Sequence, residues 1–204
     1  MVASNEVIAR LALDRIGNAT TITTLATDTS EAAAVINRWL ATVKEEMLKE
    51  APWTFARKVA ALTGEADDPN DLWAKSYTYP TDCVTPLFIM DTYRVPDPSS
   101  PPIPFDVGLN SGGTANLIWT DEDDASLCYT SNVAVTVYPD KFTRALVLKL
   151  AIYCLPRLGR GDPYSMLPGL WQEFYQALSE AKAEDANRVR RDPPGDAELI
   201  TGRG

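Results

Sequence analysis

The chain has 204 residues, 45% hydrophobic and 23% charged, with a formal net charge of -9 and no histidine. A chain of that size suits one large domain or a small one with an insertion, and it buries roughly 70% of its unfolded surface without needing a disulfide or metal. The missing histidine removes Ser-His-Asp and Cys-His nucleophiles, His-ligated zinc and imidazole acid–base chemistry, and the acidic balance argues against tight nucleic-acid binding, which needs a basic face.

The first residues, Met1 to Glu6, lack the basic start and apolar core of a signal peptide. Ser4 or Asn5 caps a first helix running to about Ile16, with Val7, Ile8, Leu11, Ala12 and Ile16 on its apolar face and Gly17 as its stop. A Thr-rich extended link follows, Asn18 to Thr27. Asp28-Thr29-Ser30-Glu31 is a capping-box pattern, with Asp28 as cap and Glu31 at N3. It opens a helix that turns Ala32, Ile36, Trp39, Leu40, Val43 and Met47 to one side, and Pro52 stops it at or before Ala51.

From Trp53 the period changes to two. Trp53 to Val59 alternates like a half-buried strand, and Glu65 to Asp71 is an acidic turn. Further strands are expected at Trp73 to Tyr79, Thr85 to Val95, Thr114 to Thr120 and Ala125 to Tyr138; Val133 to Val137 is the clearest β-branched run. Pro96 to Gly113 is a long connection rich in Pro and Gly, within which Ile103 and Phe105 suggest a docking segment.

Asp140 caps a third helix over Lys141 to Leu155, and Gly159 to Pro163 makes a turn. The most apolar run of the chain, Ala145 to Leu155, is broken by Lys149 and falls short of the roughly 18 residues of a membrane span. A fourth helix carries Leu167, Leu170, Trp171, Phe174, Leu178 and Ala181 on one stripe and continues to about Arg190; Arg188, Arg190 and Arg191 sit where the helix dipole favours cations. The order helical, β-like, helical predicts an α+β fold. Residues 1–62 and 138–191 form a bundle of about four helices, residues 63–137 a small antiparallel β insertion, and residues 192–204 a tail containing Leu199 and Ile200.

Three cysteines, Cys83, Cys128 and Cys154, lack CxxC spacing and read as free thiols, although Cys83 and Cys128 both fall in strand-like segments that can be neighbours. The acidic run Asp121-Glu122-Asp123-Asp124 can hold a cation or supply paired carboxylates, but its place between two strands reads as a solvated hairpin turn. Gly159-Arg160-Gly161-Asp162 and Gly112-Gly113 follow neither phosphate-binding pattern and read as turns, so no cofactor is implied. The aromatic group Trp39, Trp53, Phe55, Trp73, Tyr77, Tyr79 and Trp171 has Arg57 and Lys58 as its only nearby basic pair. It reads as core and subunit-contact surface rather than a nucleic-acid platform.

In this order the features resemble the head-to-tail adaptors of short-tailed phages, called tail tubular protein A in one lineage and related to the head-completion connectors of long-tailed phages. The resemblance is carried by Leu11-Ala12-Leu13-Asp14-Arg15-Ile16-Gly17 and Ala51-Pro52-Trp53-Thr54-Phe55-Ala56, then by Trp73 with Tyr77-Thr78-Tyr79-Pro80-Thr81-Asp82-Cys83. It continues in Pro104-Phe105-Asp106-Val107, the strand pair Ile118-Trp119-Thr120 and Leu127-Cys128-Tyr129, and Phe142 ahead of Ala145 to Ala151. It covers roughly Ser4 to Arg191, leaving the Pro-rich stretch and the tail unmatched.

The resemblance implies a non-enzymatic virion protein of the neck, made in the host cytoplasm and assembled as a dodecamer ring. Such a ring lies under the portal protein, receives the tail nozzle protein, and lets genomic DNA pass without specific binding or contact with a membrane. The portal-binding residues are then Arg188, Arg190, Arg191, Leu199 and Ile200, and the subunit or nozzle contacts Trp39, Trp53, Phe55, Ile103 and Phe105. Two other readings stay open: a carboxylate-dependent cell-wall hydrolase using Asp121 to Asp124, and a neck or tail-terminator ring elsewhere in the virion.

Overall fold

The computed structural model describes residues 3–64, 72–90 and 102–188; the expected turn at Glu65 to Asp71, the Pro-rich residues before 102, and Arg190, Arg191, Leu199 and Ile200 lie outside them. The described residues form four helices and two three-stranded antiparallel sheets, a mixed α+β fold in which the β part is inserted between helix pairs.

Helix α1 spans Asn5–Arg15, with the Ser4 hydroxyl accepting from the Val7 amide at 3.3 Å. Gly17, at φ +70°, ends it in the left-handed turn that glycine takes without strain. Its buried arc runs through Ile8, Ala9, Ala12 and Leu13, so Leu11, expected inside, falls beyond the arc's edge and is 42% exposed. Helix α2 spans Glu31–Lys49. Its cap is Ser30 rather than Asp28: the Ser30 side chain accepts from the Ala33 amide at 3.2 Å, while the Asp28 carboxylate accepts from the Ser30 amide at 2.8 Å. The capping position has shifted two residues because Ser30 already holds the extended conformation that a cap requires.

After α2 the chain turns inward. Trp53 is buried and donates its indole N–H to the Met47 carbonyl at 2.8 Å. The expected strand over Trp53 to Val59 begins later, because Thr54–Ala56 forms one turn of 3-10 helix held by Asp185, whose carboxylate accepts from the Thr54 amide (2.9 Å) and hydroxyl (2.6 Å).

The strands are β1 Arg57–Ala61, β2 Lys75–Thr78, β3 Cys83–Met90, β4 Phe105–Leu109, β5 Asn116–Thr120 and β6 Ser126–Ser131. One sheet has the order β1-β6-β3 and the other β2-β5-β4. β1 and β6, the strands by which the insertion leaves and rejoins the helices, pair along their length from Arg57 opposite Thr130 to Ala61 opposite Ser126. The sheets meet over a small core of Tyr77, Ile89, Ile118, Leu127 and Tyr129, with Ile103 and Phe105 at its edge.

Three sequence expectations change here. β5 and β6 do not form a hairpin; Asp121 to Ala125 carries the chain from the middle of one sheet to the middle of the other. Val133 to Val137 is no strand: Val133 and Val135 pack on the helical core and Val135–Val137 closes into a 3-10 turn, so packing overrides β propensity. And β4 lies inside the stretch read as a connection. It is admitted there by Gly108, where a Cβ would come within 2.2 Å of the Trp119 ring.

Helix α3, Asp140–Leu158, is capped by Pro139 without a side-chain bond rather than by Asp140, and runs past Pro156. It is the centre of the bundle, packed by α1, α2 and α4, Pro163–Arg188. Its middle is therefore buried nearly all round, including Lys149. The Lys149 ammonium reaches Glu46 at 3.1 Å and Glu50 at 3.4 Å on α2 and lies 5.6 Å above the Phe174 ring of α4. Tyr153 donates to Glu46 at 3.0 Å, and Lys182 reaches Glu50 at 3.6 Å.

Candidate assembly surfaces

Phe174 and Leu178 of α4 point into the bundle core. At about 100° of helical rotation per residue, Tyr164, Pro168, Trp171 and Tyr175 all fall to one side of that buried line. Their 4-3-4 spacing is that of a helix seam, yet Tyr164 is 83% and Tyr175 60% exposed. Trp171 is half-buried and stacks on Tyr175, with centroids 5.6 Å apart and planes 25° from parallel. This stripe lies on the side of α4 that faces α2 further along, where Lys182 meets Glu50. Exposed aromatics in register on a rigid helix are costly to leave in water and are a feature of protein contact surfaces.

The opposite side of α4 carries Glu173 and Glu180. Glu173 pairs with Arg15 of α1 and Glu180 with Arg144 of α3, each at 3.4 Å. These two arginines border a cleft of about 200 Å³ between α1 and α3, whose walls include Val7, Leu11 and Val147, with Asp140 at the lining. Leu11, beyond the edge of the buried arc of α1, forms part of this wall.

Neither a comparison with protein-family models nor one with curated proteins gives a match.

The sequence-predicted contact residues are scattered. Trp39 is half-buried against Tyr153 at 5.2 Å, on the α2 side of the bundle. Trp53, 1% exposed, is inside the bundle, in an edge-to-face aromatic cluster with Phe142 that also holds Phe55 and Tyr138. Ile103 and Phe105 lie half-buried at the edge of the β core, and Ile103 bridges to Ile89. Of the portal-binding set only Arg188 is described; it ends α4, exposed and paired with Glu184 at 2.7 Å.

The acidic run forms a structural corner. Asp121 accepts from the Ala74 amide (2.8 Å), the Glu122 carbonyl accepts from the Tyr77 hydroxyl (2.8 Å), and Asp123 pairs with Lys75 (2.7 Å). Among the described residues no group of three His, Cys, Asp or Glu is placed to hold a metal ion, and no helix is long and apolar enough to cross a membrane. A second polar group clamps the end of the β1-β6-β3 sheet: Asp82 accepts from Lys58 (2.7 Å), Tyr129 (2.8 Å) and Ser131 (2.8 Å). The Lys58 bond leads in holding its carboxyl down at about 2.

All three cysteines are free. The ladder sets Cys83 opposite Ser131 and Cys128 opposite Phe88, so the expected neighbours are held apart. Burial raises each thiol above its usual range, Cys154 to about 12. Trp171, expected on the core stripe of α4 and in the aromatic contact group, lies on a second stripe with Tyr164, Pro168 and Tyr175, three residues absent from those expectations.

Proposed function

We propose that this chain is a structural subunit of a phage particle, a head-to-tail adaptor that closes into a ring beneath the portal and works by assembly rather than catalysis. One observation carries the reading: the bundle presents two unlike apolar surfaces on opposite flanks, the aromatic stripe of α4 and the arginine-bordered cleft between α1 and α3. A subunit that pairs through one self-complementary patch stops at a dimer. A subunit with different surfaces on opposite sides assembles head to tail, and closes when the rotation fits.

The other features agree with that role. Individually modest contacts repeated around a ring gain avidity. The excess of acidic residues suits a wall past which DNA slides without binding. The resemblance to adaptor proteins supplies the partners: portal above, nozzle below, twelve copies in the ring. Arg188 to Ile200 is the portal-facing segment in this reading.

The test is to mix the protein with portal and image the complex by electron microscopy. The expected result is a ring stacked on the portal. A variant lacking residues 192–204 keeps its melting temperature and loses portal binding. Free portal in the micrographs beside monomeric protein, or undiminished binding by the shortened chain, would defeat the assignment.

A further inference from the structure

The geometry points to the pairing rule of the ring: the aromatic stripe of one copy, Tyr164, Trp171 and Tyr175, seats in the α1/α3 cleft of the next. This rests on the ring-forming reading above and names the partner of each surface as a second copy of the same chain.

Three observations support the match. The cleft, about 200 Å³, is a groove open to solvent between two helices, with room for side chains presented from a second surface. Protruding side chains reach into such a groove, and Tyr164 and Tyr175 are the most exposed aromatics among the described residues. The chemistry is complementary as well. Val7, Leu11 and Val147 give the ring an apolar wall, while Arg15 and Arg144 lie at the border with side chains about half exposed. A guanidinium stacks on the electron-rich face of a tyrosine, and Glu173 and Glu180 already hold both guanidinium groups in place. Asp140, also at the lining, offers an acceptor to a phenol hydroxyl.

The third observation is polarity. Glu173 and Glu180 are on the cleft side of α4 and the stripe is on its other side. One copy therefore cannot fill its own cleft with its own stripe, and each contact leaves a free stripe at one end and a free cleft at the other.

Two variants test this in the full-length protein. Leu11→Glu fills the cleft with charge, and Tyr164→Ala with Tyr175→Ala removes the stripe; all three positions are exposed, and far-ultraviolet circular dichroism checks that each variant stays folded. Each variant alone should need about tenfold or more protein for half-assembly, the effect of losing a central contact. Mixed, the two variants should form a one-to-one pair that grows no further, because only one intact stripe and one intact cleft remain. Sedimentation velocity reads both results. Rings from either variant at wild-type concentrations, or a mixture that stays monomeric or closes into rings, overturn the pairing. A one-to-one pair from the mixture, with wild-type protein that forms open chains and ignores portal, keeps the pairing and removes the adaptor assignment.

Discussion

Replacing Lys149 by alanine tests the polar centre of the bundle. Its side chain is 8% exposed and pairs with Glu46 and Glu50, whose side chains are 36% and 32% exposed. Removing one member of a dry ion pair strands the other charge and costs about 3–5 kcal/mol. Both glutamates here keep some contact with water, and Tyr153 and Lys182 remain as partners, so the expected cost falls to about 2–3 kcal/mol. For a chain of this size each kcal/mol lowers the melting temperature by about 2–4 °C, so Lys149→Ala should melt roughly 5–10 °C below the wild type. Lys149→Met keeps most of the packing on Phe174 and isolates the charge. Lys149→Met with Glu46→Gln also removes one of the two carboxylates that lose the ammonium, leaving an acceptor for Tyr153 and Glu50 with Lys182, and should recover more than half of the loss. Thermal melts followed by circular dichroism in 0.15 M salt measure all three. A Lys149→Ala melt within about 1 °C of wild type, or a double variant no better than Lys149→Met, would show that the ammonium does not organise this core.

Asp82, held at about 2 mainly by Lys58, should make the β part acid-sensitive. A depressed carboxyl stabilises the fold fully above its unfolded value near 4 and loses that contribution as pH falls toward 2; urea midpoints of Asp82→Asn should be lower than wild type at pH 7 and converge with it at pH 2. Gly108→Ala forces a methyl group into the Trp119 ring and should cost about 1–3 kcal/mol, seen as a red-shifted tryptophan emission and a lower urea midpoint. Unchanged emission would mean that the indole has room to move. Asp185→Ala frees the Thr54 amide and hydroxyl and should cost about 2 kcal/mol, with faster hydrogen exchange at Thr54–Ala56 as the local readout; exchange equal to wild type would contradict this.

Helix ends were legible where one residue decides the backbone: Gly17 supplies a left-handed turn and Pro52 blocks continuation, and both act where expected. Caps were less so, because Asp28 and Ser30 are both competent and only the backbone conformation chooses between them. Period-two reading misled at Val133 to Val137, whose valines serve the helical core, and overlooked β4, although Phe105, Val107 and Leu109 alternate with Asp106 and Gly108. The breakers around β4 masked the alternation. The candidate surfaces were hidden for another reason: periodicity reveals apolar faces, but only packing decides which remain uncovered. Leu11 and Tyr175 are large apolar or aromatic residues at helical spacing, yet both stay exposed.

The pairing of β1 with β6 has a consequence for how this molecule can vary. To the helices, β1 and β6 present a two-stranded stem whose ends are fixed side by side at Arg57 and Thr130, and β3 adds a second attachment where Val84 packs on the bundle core beside α2. Segments can be lengthened, shortened or exchanged beyond that stem without altering the distance α2 and α3 must span. The lobe can then diverge to suit a different neighbour while the bundle that carries the flanks keeps its shape.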